Sequence, residues 1–311
     1  MAPLVVKEEE KEAPLRAISL GEELKRNPDM KETDLALLRD WADKQPHLPK
    51  VLDRELVLFL HSCYYRVEAA KVTADTYFTA RTHLPEFFAQ RDATKPEVQL
   101  AAKVVGFVTL PKPTPEGHKV IVARFVDPDP SNFVHVDATK VFLMVTDLWL
   151  LSEGSAPGHV IVFDMTNVTF GHVTRMGPLV FKKFFYYLQD ALPFRLKGLH
   201  FINVVPLLDK IMAIIRPFLK KEILDVLHIH AEGMESFYKF VPKENLTEDY
   251  GGAAPSFISI QKRTLPRLLA NAPYFAAEEQ RRVEEARRPG RARSAGDLFG
   301  VEGSFKKLDI D

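Results

Sequence analysis

The chain has 311 residues, 46% of them hydrophobic, with 42 basic and 42 acidic side chains and so no formal net charge. That composition suits one large or two modest globular domains, and the balance of charge argues against general nucleic-acid binding, which leaves a basic excess. The single cysteine, Cys63, cannot form an internal disulfide and lies in a helical apolar pattern, so it reads as a small buried residue in a reducing, cytoplasmic compartment.

Residues 1–18 are charged and proline-containing and read as a disordered N-terminus. Their start is too short and too acidic for a signal peptide. No apolar run approaches the roughly 18 residues of a membrane span, and no lipidation signal is expected at either end. Ser19 and Glu22 have capping-box spacing. Leu35, Leu38 and Trp41 recur at helical spacing, which predicts one helix from Ser19 to about Lys44. After the proline-interrupted turn QPHLPK, Asp53 is the expected cap of a helix carrying Leu56, Leu60 and Cys63 on one side. A helix over 67–81 would turn Ala70, Ala74, Tyr77 and Phe78 inward. Residues 19–92 thus read as an all-helical module.

Beyond Thr94-Lys95-Pro96 the pattern changes. The runs 104–110 and 119–126, joined by PKPTPEGH, read as adjacent strands. A helix over 138–151, a strand over 159–165, a helix over 174–190 and a strand over 199–204 follow. An apolar helix over 206–219 and a strand over 226–230 come next. Strands alternating with helices of this length predict an α/β fold with a largely parallel sheet, here assigned to 93–261. Residues 262–311 form a charged C-terminal extension, with a helix over 276–288 and a flexible tail. Its arginines (Arg281, Arg282, Arg287, Arg288, Arg291, Arg293) read as a solvated face offset by Glu278, Glu279, Glu284 and Glu285.

Catalytic patterns are missing. No glycine-rich phosphate loop is present, and Gly154-Ser155 is no nucleophile elbow. His228 and His230 share one side of a strand, with His200 on another. Without HExxH or a cysteine partner they read as backbone hydrogen-bonders, so no metal or cofactor is expected. Asp164, at a strand end, reads as a turn cap before it reads as a general base.

Apolar bulk is in surplus. VFLMVTDLWLL (141–151) is apolar on more than one face, with Thr146 its small polar group. FKKFFYYLQDALPF (181–194) carries Phe184, Phe185, Tyr186 and Tyr187 in a row. An amphipathic helix buries one stripe. A helix apolar nearly all round sits in a large core or lines a cavity with one side, and composition alone favours core. A cavity there would be oily, with Thr146 and Tyr187 among its few polar groups. In the helix 206–219, Leu207, Leu208, Ile211, Met212, Ile214, Ile215 and Phe218 cover most of the surface. Basic residues flank it: Arg195 and Lys197 before, Lys220 and Lys221 after.

Five stretches carry a family likeness: LRDWADKQPHLP, RELVLFLHSCYYRVEAA, VIVFDMTNVTFGH, PFRLKGLHFINVVPLLDKIMAIIRPFLKKEILDVLHIH and LTEDYGG. Over about 20–262 the chain resembles the CRAL-TRIO family of lipid carriers, which includes tocopherol, retinaldehyde and phosphatidylinositol binders. The resemblance implies a helical module followed by an α/β domain with an internal hydrophobic cavity and a helical gate. It implies binding of one small hydrophobic ligand (tocopherol-, retinoid- or carotenoid-like) and its transfer between membranes. Phospholipid exchange or phosphoinositide sensing is the alternative. Cavity walls are expected at Phe142, Val145, Thr146, Trp149, Phe163, Val168, Phe184, Tyr187, Leu188 and Leu199. Gate contacts are expected at Leu207, Leu208, Ile211 and Ile215. Transient contact with anionic membranes, phosphoinositides among them, would fall to Arg195, Lys197, Lys220 and Lys221, and the protein would act as a monomer. The chain departs from the tocopherol binders at His61, Glu222 and Val226, where basic residues are expected. Phe142, Trp149 and Tyr187 are bulkier than their counterparts, and Val168 is smaller, so the implied cavity is reshaped.

Overall fold

The computed structural model describes residues 12–300. Six helices come first: α1 (Leu20–Arg26), α2 (Glu32–Asp43), α3 (Asp53–Ser62), α4 (Val67–His83), α5 (Pro85–Phe88) and α6 (Pro96–Val104). Ser19 caps α1, and the Glu22 carboxylate in turn accepts the Ser19 N–H at 2.8 Å. The single helix expected over 19–44 is two. Pro28 has no N–H to continue the ladder, and the Asn27 amide turns back onto the Glu23 carbonyl at 2.8 Å. Asp53 does not cap α3, since Leu52 holds that position and Asp53 binds Arg39 at 2.8 Å instead. Helix α6 had no counterpart in the sequence reading. Pro96 at its start favours helix initiation as strongly as it marks a turn.

The sheet has five strands in the order of the chain: β1 (Val105–Thr109), β2 (His118–Phe125), β3 (Gly158–Asp164), β4 (Leu196–Ile202) and β5 (Leu227–Ile229). β1 runs antiparallel to β2, and the other pairs are parallel. The crossovers are α7 (His135–Glu153), α8 (Phe170–Arg175) with α9 (Pro178–Asp190), and α10 (Leu208–Ile215) with α11 (Lys221–Leu224). Neighbouring parallel strands joined in sequence by right-handed crossovers place every crossover on one face. Side-chain alternation agrees. Ile121, Ala123, Ile161, Leu199 and Phe201 join the crossover helices in one core, while Val120, Val122, Val160, Val162 and Ile202 join Phe237, Tyr250 and Phe257 in another. Two expected helices are interrupted by proline. Pro178 separates α8 from α9, and Pro217 turns the end of α10 into a short 3-10 stretch, Arg216–Phe218.

After β5 come α12 (Met234–Phe237), α13 (Phe257–Gln261), α14 (Thr264–Ala270), α15 (Ala272–Glu279) and α16 (Ala295–Phe299). The helix expected over 276–288 begins earlier and ends at Glu279, and 289–300 is not a loose tail. Arg281 binds Glu55, and Arg288 and Arg293 bind Asp75, so acidic residues of α3 and α4 fix this segment. Residues 12–18 are held too, by Leu15 N–H to Asn271 Oδ1 and Ile18 N–H to the Leu151 carbonyl, at 2.9 and 2.8 Å. The remainder of the expected disordered start and of the tail lies outside the described residues. No helix among the described residues is long and apolar enough to cross a membrane.

Candidate functional site

Between the sheet and helices α7, α9 and α10 lies a cavity of about 140 Å³. Its floor is Phe125, Phe163 and Phe201 from the strands, Phe142 of α7 and Phe184 of α9 line it side by side, and Ile211 and Ile215 of α10 border it. The rings brace one another. Phe142 stands edge-on to Phe184 at 5.6 Å and to Phe107 at 5.5 Å, and Phe163 stacks on Phe201 at 5.4 Å. Propped rings cannot collapse into the space they enclose, so the space persists.

Few polar groups face this space. Arg124 and Asp164 are already engaged. Asp164 accepts from Tyr250 Oη at 2.6 Å, from Thr166 and from Asn203 Nδ2 at 2.9 Å. Arg124 lies over the Phe257 ring at 4.1 Å and 3.4 Å from Asp249. Asp164 thus ties the turn after β3 to the start of the α10 segment, where Asn203 holds a left-handed φ of +49°. His135 differs. Its Nδ1 accepts the Gly177 N–H at 3.1 Å, so in the neutral ring the proton resides on Nε2. Burial lowers its pKa to about 4, which keeps the ring neutral at pH 7. Nε2 has no protein partner among the described residues, so the wall presents one free N–H donor. Sequence reasoning missed His135. The signal was its place on one helical face with Thr139 and Phe142, at spacings of four and three.

Six of the expected cavity and gate residues line this space: Phe142, Phe163, Val168, Phe184, Ile211 and Ile215. The others do not. Val145 and Trp149, about one and two turns beyond Phe142 along α7, line a separate cavity of about 180 Å³, which shares only Phe107 with the first. Thr146 is buried and spends its hydroxyl on the Phe142 carbonyl at 2.9 Å. Leu188 and Leu199 are packed in the core, Leu208 is the buried first residue of α10, and Leu207 holds the N-cap position of that helix. Tyr187 belongs to a buried ionic seam. Its hydroxyl accepts from Arg81 Nε at 3.1 Å. The same guanidinium pairs with Asp147, which also binds Arg91 at 2.5 Å, and reaches Glu278 at 3.3 Å. Burial would raise the Asp147 carboxyl, but two guanidiniums hold it below the usual carboxylate range.

The basic residues divide into two groups. Arg195 donates to the His61 carbonyl at 2.8 Å and lies over the Tyr64 ring at 4.1 Å, while Lys197 Nζ reaches Tyr64 Oη at 3.0 Å. His61 is kept neutral by burial and by Arg195, with a pKa of about 4. Lys220 and Lys221 are paired with Asp190 and Asp225 and add little free charge. On the outer side of α10, Lys210 lies 4.7 Å above the ring of Phe170, a residue 56% exposed. Nothing in the sequence reading had singled out Phe170. The histidine side chains meet one another and not backbone: His200 Nδ1 is 2.9 Å from His230 Nε2, His230 Nδ1 is 2.8 Å from Ser236 Oγ, and His228 only stacks on His200 at 4.8 Å.

A family profile described as Pinta-like, UBA domain, matches residues 27–98, and the CRAL/TRIO domain profile matches residues 103–252. The alpha-tocopherol transfer protein-like protein of Homo sapiens is 31% identical over 240 residues, which span 75% of this chain and 68% of that protein. Clavesin-2 of Rattus norvegicus is 26% identical over 239 residues, covering 76% and 73% of the two chains. The crystal structure of Sfh5 aligns at 16% identity and a TM-score of 0.42, covering 78% of this chain and 79% of that one.

Proposed function

The chain belongs to the CRAL/TRIO family of lipid-binding and transfer proteins, and from that premise we propose that it carries one small hydrophobic molecule in the cavity under α10 and passes it between membranes. The observation that carries this reading is the lining: mostly rings and aliphatic groups, with Arg124 and Asp164 tied to other residues and His135 Nε2–H without a protein partner among the described residues. A guest of tocopherol, retinoid or carotenoid type suits that lining, with at most one hydroxyl or carbonyl for His135 to meet. Leaving water drives binding by about 25 cal/mol per Å² of apolar surface, and no bond is made or broken.

Helix α10 is the gate. Its inner residues Ile211 and Ile215 seal the guest, and its outer face offers Lys210, which lies over Phe170 of α8, to a bilayer, a cation and a ring suited to the headgroup boundary. Lys197 and Arg195 add attraction to an anionic leaflet, about 1 kcal/mol for each exposed cation. The protein thus meets membranes as a transient peripheral visitor.

Extraction of the purified protein followed by mass spectrometry should yield one dominant hydrophobic molecule. Absence of any bound lipid, together with no saturable binding of hydrophobic ligands, would overturn the reading. A phospholipid as the dominant molecule would replace it with phospholipid exchange. Ile211→Asp should slow vesicle-to-vesicle transfer by about tenfold or more while leaving the helical module folded. Unchanged transfer removes α10 as the gate.

A further inference from the structure

The arginines after α15 are not all consumed by packing. The side chain of Arg288 is 6% exposed against Asp75, but those of Arg291 and Arg293 are 86% and 41% exposed. These two lead directly into Ser294, in the order Arg291-Ala292-Arg293-Ser294. Residues 288–294 are neither helix nor strand, and Gly290 turns the chain outward with a φ of +86°. A protein kinase binds its substrate as an irregular, extended segment and selects it by charge. Cations three and one positions before the hydroxyl match an acidic substrate groove, and arginine forks pair with carboxylates in two-point contacts.

We propose that Ser294 is a phosphorylation site for an arginine-directed serine/threonine protein kinase, and that its phosphorylation releases α16 from α9. In the transfer, the γ-phosphoryl group of ATP forms a bond to Ser294 Oγ, its bond to the bridging oxygen of the departing ADP breaks, and the hydroxyl proton passes to the kinase's base. The acceptor is reachable because α16 is only five residues long, so its first turn opens without disturbing the sheet.

The consequence follows from the cap. Ser294 Oγ donates to Asp297 Oδ2 at 2.8 Å and accepts the Asp297 N–H at 3.1 Å, and the Ser294 N–H donates to the same carboxylate at 2.9 Å. A phosphate carrying about 1.5 to 2 negative charges on that oxygen faces the carboxylate directly. Repulsion opens the cap, and so short a helix has little dipole to offset it. The phosphate's nearest cations are Arg291, now on Asp297, and Arg293, now on Asp75. Helix α16 delivers Phe299, which is 1% exposed, edge-on against Tyr186 of α9 at 5.2 Å, and Lys182 of α9 donates to the Phe299 carbonyl at 2.7 Å. Its departure removes a brace from the helix that supplies Phe181, Phe184 and Phe185 to the cavity. The assignment of Ser294 does not depend on which guest the cavity holds.

The test incubates the full-length protein with ATP and the catalytic subunit of an arginine-directed kinase, followed by tandem mass spectrometry and hydrogen exchange. The expected result is one phosphoryl group on Ser294, none on Ser294→Ala, and incorporation about tenfold slower on Arg291→Ala. The phosphorylated chain should exchange amides of 295–299 and of α9 faster than the unmodified chain. No incorporation at Ser294 in the intact protein overturns the site, whether or not a short peptide spanning it is a substrate. Incorporation with unchanged exchange in α16 and α9 overturns the release.

Discussion

Helices α7 and α9 each pass through two surroundings. Near Phe142 and Phe184 they wall a cavity that has room and no charge of its own to spare. One turn further on, at Asp147 and Tyr187, they enter a seam with the helical module that is crowded with charge and has no room. The two regions use the same helices to opposite ends. The seam fixes where the helices stand, by bonds that tolerate no slack. The cavity is the space left between helices so fixed. A void bounded only by apolar packing would tend to close, and one framed by a rigid ionic seam is held open at its edges.

The largest expected effect breaks the seam. Asp147→Ala leaves Arg81 and Arg91 buried without their carboxylate and should cost about 3–5 kcal/mol, read as a lowered urea midpoint. A loss below about 1 kcal/mol would mean that the seam does not hold the frame. Filling the cavity should act the other way. Val168→Trp places an indole in existing space, so stability should stay within about 1.5 kcal/mol while saturable binding of a fluorescent hydrophobic ligand falls by about tenfold or more. Acid should separate the regions. His135 has its pKa lowered to about 4, so between its unfolded value near 6.5 and 4 only the unfolded chain takes up the proton, and stability is lost as pH falls through that window. Asp147, depressed by its guanidiniums, keeps its contribution until pH falls below the ordinary carboxylate range. His135→Phe should therefore lose on the order of 1 kcal/mol less than the parent between pH 7 and pH 5, measured by urea midpoints. The smallest effect is on the exposed cations. Lys197→Glu should weaken binding to anionic vesicles by about fivefold at low salt, with the difference fading near 1 M salt, and should leave both buried regions unchanged.

The order of elements was legible because period-2 and period-3.6 patterns are strong over five or more residues. Breaks inside helices were not, although Pro28, Pro178 and Pro217 stood in plain view. A proline at a helix's first turn and one that ends it look alike until the neighbouring backbone is known. Phe142, Phe163 and Phe184 were expected at the cavity from the family resemblance, because surplus bulk alone favours a plain core. Thr146 and Tyr187 were placed there for being polar in an oily stretch, but a helix with two buried faces does not announce which one receives its polar group. Thr146 turned to its own backbone and Tyr187 to Arg81. That guanidinium lies 106 positions away in the chain, a distance no local pattern spans. His135 was overlooked for the converse reason. Its value lies in a tautomer fixed by Gly177, 42 positions later.

The ion pairs from Arg281 to Glu55 and from Arg288 and Arg293 to Asp75 bear on how the chain is made. The carboxylates Glu55 and Asp75 precede Arg281 and Arg288 by 226 and 213 residues, so they leave the ribosome first. The helical module must wait for these pairs until the arginines are made. A chain stopped short of Arg281 keeps the whole sheet and all the cavity-lining residues, yet Glu55 and Asp75 lack their arginine partners. The segment from Arg281 to Arg293 thus completes the surface of the first module only after the sheet has been made.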